Sequence, residues 1–109
     1  MATQAQDNDD KVRQLSREAL DALLNQYWAA KNATPPKPFD EVFDLRRAYE
    51  NAVAEYAALE GRLLHDEILS SNADVTKFQK VRDQMQNAAD TKEALKLAES
   101  LTKMMVALA

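Results

Sequence analysis

His65 is the only histidine in the 109 residues, so any acid–base or nucleophilic scheme that uses an imidazole must run through it. Asp66 and Glu67 follow it directly, and Ser70 and Ser71 come about a turn later. Consecutive residues on a helix diverge by about 100°, so these groups cannot converge on one reacting atom. They read as a solvated polar patch near a helix end. A carboxylate-bridged metal pair inside a helical bundle wants a Glu three residues before a His, and that position holds Arg62. Cysteine is absent, which removes disulfides and thiolate metal sites, and a zinc site lacks ligands altogether. Phosphate-cradling loops need glycine, and Gly61 is the only one. The sequence therefore offers no catalytic, cofactor-binding or metal-binding residues.

Contact chemistry is better represented. Pro35-Pro36-Lys37-Pro38 contains a minimal P-x-x-P, which reads as a rigid connector before it reads as a ligand for a polyproline-binding domain. Thr91, Lys92 and Lys96 would face DNA if the last two helices formed a helix-turn-helix. The usual turn glycine is missing there, and the net charge of −4 argues against nucleic acid. Arg46-Arg47 and the Lys77, Lys80, Arg82 group read as solvated faces. Met104-Met105 reads as gap-filling core.

These residues must be held by helices. With one glycine, three prolines, abundant alanine and no alternating strand pattern, the class is all-α. The organising stretch is Glu41 to Leu69, which as a helix would run about 43 Å. Val42, Leu45, Tyr49, Ala52, Tyr56, Leu59 and Leu63 fall at steps of three and four, an a/d seam over three heptads. That seam serves either as the core of a monomer or as an interface between copies. It fails after Leu63, where Asp66 takes an apolar position and the stripe shifts to Leu64 and Ile68. Gly61, His65, Asp66 and Glu67 sit at that failure and form the candidate contact patch.

An earlier helix, at 9–31, carries a wider stripe of Val12, Leu15, Ala19, Leu20, Leu23, Leu24 and Tyr27, suited to more than one neighbour. The proline-rich connector folds it back on the central helix as a long antiparallel hairpin. Tyr27, Trp28, Phe39 and Phe43 flank the connector and are expected to plug that end of the bundle. Two shorter helices follow, at 74–89 and 91–108. Continued as one helix, their stripes would point roughly 150° apart, so a break is expected near 89–91. The fold expected is an antiparallel four-helix bundle, or a three-helix bundle if the C-terminal pair is continuous. Residues 40–69 carry eight acids and three bases, residues 70–109 five acids and six bases. The simplest use of that contrast is to pack the C-terminal helices against the central one.

Residues 1–8 are small and polar and are expected to be a disordered tail, with 9–109 as a single helical-bundle domain. No apolar h-region opens the chain, and no apolar run approaches the roughly 20 residues of a membrane span. The expectation is no membrane and a cytoplasmic location, with export by a non-Sec route left open. Size, Ala/Gln/Leu content and the terminal apolar helix resemble the small helical subunits and chaperones of bacterial type III secretion. That resemblance implies a secretion-associated subunit as one reading. Three functions follow: a non-enzymatic protein–protein interaction module (adaptor, chaperone or inhibitor), a structural or self-assembling helical subunit, and a helix-turn-helix-like regulator. The partners expected are proteins, a homodimer among them.

Overall fold

The computed structural model describes residues 4–65 and 70–108. They form four helices and, among the described residues, no strand: α1 Gln4–Lys31, α2 Phe39–Leu64, α3 Asn72–Gln86 and α4 Thr91–Leu108. The bundle measures 52 × 22 × 19 Å. No described helix is long and apolar enough to cross a membrane.

The two hairpins lie side by side. Within each, the helices run antiparallel, as Arg17 against Tyr56 and Glu60 in the first shows. Between hairpins the direction is parallel: Asn8 meets Ser70, Glu18 meets Arg82 and Gln26 meets Ala88, so α3 climbs beside α1 at constant offset. In cross-section α1 touches α2 and α3, while α4 closes the ring against α2 and α3. The core between them is built on Leu23, Leu45, Leu59, Met85, Leu101 and Met105, all fully buried.

Helix ends follow local capping. Proline at 35, 36 and 38 stops α1, and α2 starts at Phe39 with Pro38 as its N-cap residue, its carbonyl accepting from Glu41 and Val42. Asp40 lies in the first turn and serves the helix dipole. Ser71 caps α3: its Oγ accepts from the Asp74 amide at 3.1 Å, and Asp74 accepts from the Ser71 amide at 2.8 Å. The break between α3 and α4 falls at residues 87–90. The Glu93 carboxylate there accepts from the Ala89 amide, and Asp90 accepts from the Glu93 amide.

Three expectations are corrected. The first helix starts at Gln4, so residues 4–8 of the expected tail are helical. Asn8 and Asp9 are buried within the helix, where Asn8 donates to the Ser70 carbonyl and Asp9 accepts from the Ser70 amide at 2.7 Å. These two bonds pin the start of α3 to the first turns of α1. The aromatic plug does not exist either. Trp28, Phe39 and Phe43 are exposed: the turn between α3 and α4 reaches α1 at Gln26, short of Trp28, and both phenylalanines lie on the side of α2 turned away from its neighbours. Finally, of the two C-terminal helices only α4 packs against α2 as expected, α3 lying on α1 instead, and ion pairs between helices, among the described residues, run to α1. Glu60 bonds Arg17 of α1 at 2.9 Å, and Arg82 of α3 bonds Glu18 of α1 at 2.8 Å.

Glu60 also accepts from the Tyr56 hydroxyl, which in turn accepts from Arg17 at 2.6 Å. The hydroxyl first, and Arg17 after it, hold the Glu60 carboxyl below the usual carboxylate range. Burial first, and Glu60 after it, push the Tyr56 phenol up. A depressed carboxyl stabilises the fold above pH about 4.5 and loses that contribution as pH falls. A raised phenol contributes fully below pH about 10 and is lost as pH rises further. The difference in melting temperature between the wild type and Glu60→Gln should therefore be widest near neutrality and narrow towards both acid and alkaline pH. A pH-independent difference would contradict the network. Asp9→Ala should cost about 1–3 kcal/mol in urea unfolding, because it leaves the buried Ser70 amide unpaired. Asp9→Asn, which keeps an acceptor oxygen, should cost less.

Candidate functional site: the outward face of helix α2

The seam of α2 is used up inside the molecule. Leu45, Ala52, Leu59 and Leu63 are buried, and Val42, Tyr49 and Tyr56 are half-buried against the same core. α1 covers one flank of the seam, through Tyr56 and Glu60, and α4 covers the other, where Ala48 and Asn51 share a groove with Leu95 and Ala98. Alanine at 48 and 52 keeps both contacts close. Two neighbours on two flanks leave the opposite side of α2 bare.

That bare side carries a second periodic stripe: Phe39, Phe43, Arg46, Glu50, Val53, Ala57, Gly61 and Leu64, again at steps of three and four. At 100° per residue, Phe39 and Ala57 both lie about 140° round the helix from Ala52 at the centre of the seam. Six large apolar side chains are exposed among the described residues, and four of them lie on this stripe: Phe39 at 78 %, Leu64 at 56 %, Phe43 at 45 % and Val53 at 36 %. The rings of Phe39 and Phe43 stack with centroids 5.9 Å apart, and the Arg47 guanidinium lies 5.9 Å from the Phe43 centroid. Arg46 and Glu50 pair on the same face at 3.0 Å. At the same end of the bundle, exposed Trp28 tilts against Tyr27, with the Lys31 ammonium 4.8 Å from its ring.

Of the sequence's contact patch, Gly61 and His65 fall on or beside this stripe, one turn apart, with the His65 amide donating to the Gly61 carbonyl at 3.2 Å. His65 is exposed and ends the helix. Asp66 and Glu67 lie outside the described residues. Sequence reading missed the remainder of the stripe because the stronger seam on the other side drew the eye. The spacing was there to be read, but polar Arg46 and Glu50 interrupt its apolar run.

Gly61 has a clear geometric status. A Cβ built there meets nothing within 4 Å, and its φ is not positive. Neither tight packing in the bundle nor a bend requires it. Gly61→Ala should therefore raise the stability of the isolated chain by about 1 kcal/mol, read from chemical unfolding. A loss of stability would mean that the backbone there is constrained in a way the structure does not contain.

No family model, no curated protein and no solved structure matches this chain.

Proposed function

We propose that this protein is a non-enzymatic protein–protein interaction module, of the adaptor, chaperone or inhibitor kind, that binds through the outward face of α2. One observation carries this reading: four of the six exposed large apolar side chains lie on a single periodic stripe of one helix. Isolated apolar residues on a surface need no explanation, whereas an aligned row is what a partner helix or groove fills. Phe39 and Phe43, flanked by Arg46 and Arg47, have the aromatic and arginine character of interface anchors. The regulator reading is weaker. Thr91, Lys92 and Lys96 share their shallow groove with the carboxylates of Glu41 and Glu99, which would repel a phosphate backbone there.

The test compares wild type with Phe39→Ser/Phe43→Ser as immobilised baits in extract of the cells of origin, read by quantitative mass spectrometry. The expected result is a partner whose recovery falls at least tenfold with the double variant, at unchanged helix content by circular dichroism. Equal recovery by both baits, or loss of recovery on Val106→Ser in α4 instead, would remove the α2 face from the function.

A further inference from the structure

The outward face of α2 is complementary to itself, and we infer that it is occupied by a second copy of this chain, bound antiparallel through α2. This rests on the reading of that face as a docking surface and names its occupant. The two aromatic rings, Phe39 and Phe43, stand in the first turns of the stripe, and the small residues Ala57 and Gly61 in its second half, which ends on exposed Leu64. A two-fold axis crossing α2 beside Ala52 and Val53 turns one copy end over end. Phe43 then comes opposite the partner's Gly61, Phe39 opposite the partner's Leu64, and Val53 opposite its own mate. The Phe43 ring is thus matched with the gap at Gly61, and Phe39 meets Leu64 as an apolar pair, the arrangement in which helices interdigitate.

Charge follows the same symmetry. Arg46 comes opposite the partner's Glu60, whose bonds to Tyr56 and Arg17 both fall on Oε2. Asp40 comes beside the partner's His65. A parallel copy would set Phe43 on Phe43 and Arg46 on Arg46, and would leave Gly61 facing Gly61. The glycine is the independent sign of close approach. It sits in a helix at a cost, it has a clear surround in the monomer, and only another body against this face uses its missing side chain. A strip 26 residues long is about 39 Å by roughly 10 Å, smaller than the interfaces of tight complexes, so the dimer belongs in the micromolar range.

The native chain has no cysteine, so single cysteines report geometry cleanly. Val53→Cys should form a disulfide-linked dimer under mild oxidation, because the two-fold brings the mates within bonding reach. Phe43→Cys should not, since its mates lie about 27 Å apart along the axis. Sedimentation equilibrium of the wild type should give a monomer–dimer equilibrium with a micromolar dissociation constant. Gly61→Leu should weaken it at least tenfold without lowering the melting temperature. A wild type that stays monomeric into the millimolar range overturns the inference, and so does cross-linking of Phe43→Cys as efficient as that of Val53→Cys. A monomeric wild type that still loses its extract partner on Phe39→Ser/Phe43→Ser overturns the second copy while leaving the docking face in place.

Discussion

Leu45, Leu59 and Leu63 cannot stay in water without forfeiting about 1.5–3 kcal/mol each, and covering them decides the rest of the architecture. A single antiparallel neighbour would shield only half of a stripe that spans about 120° from Ala48 to Val42. α1 therefore takes the tyrosine side and α4 the alanine side. α3 is needed for a different reason. The stripe of α1 is wider than α2 can cover, and Phe78, Val81 and Met85 close its far side. The order of helices round the ring follows from these two coverages. So does the bare sector of α2, since a helix flanked on two sides by near neighbours keeps its third side.

Apolar packing sets which faces meet but leaves sliding along the axis cheap. Here the polar groups fix it. Asn8 and Asp9 hold the start of α3 at the first turns of α1, and Arg82 reaches Glu18 further along the same parallel pair. Across the first hairpin, Arg17, Tyr56 and Glu60 make one chain of bonds between α1 and α2. Surface ion pairs of this kind contribute roughly 0–1 kcal/mol each. The bonds at Ser70 matter more because they are buried, and a slipped register would strand their donors and acceptors.

The regular parts were legible because they repeat. The steps of three and four from Val42 to Leu63 specify a helix and its inner face, and the opposed stripes of Val75–Met85 and Ala94–Met105 specify a break between α3 and α4. What resisted reading was decided by partners distant in sequence. Asn8 and Asp9 look like caps in any local window, and only Ser70, some sixty residues on, makes them part of the interior. Ser71 and Asp74 form a capping box that the neighbouring Asn72 obscures. The aromatics at the connector promised a plug because four of the chain's seven aromatic residues gather there. Whether they are covered depends on which sides of α2 its neighbours take and on how far the second hairpin reaches, and α3 and α4 are shorter than α1 and α2 by about six turns in total. The candidate face was half legible: Gly61 and His65 were singled out for the failure of the seam, not for the stripe they belong to.

α2 thus carries two periodic faces with opposite fates, and their compositions differ in a way that burial alone does not explain. The inner face mixes large and small residues along its length, as a core filled from two sides requires. On the outer face both phenylalanines stand at the start, and alanine and glycine fill the later half before Leu64 ends it. Relaxed selection of exposed positions would favour polar residues and would have no reason to sort by size. Net charge does not supply the attraction either, because each copy carries −4 and residues 40–69 alone carry eight acids against three bases. At about 0.15 M salt that repulsion decays over roughly 8 Å, so it opposes distant approach and little else. The self-association proposed for this helix would then rest on apolar burial and on fit, that of Phe43 against Gly61 above all.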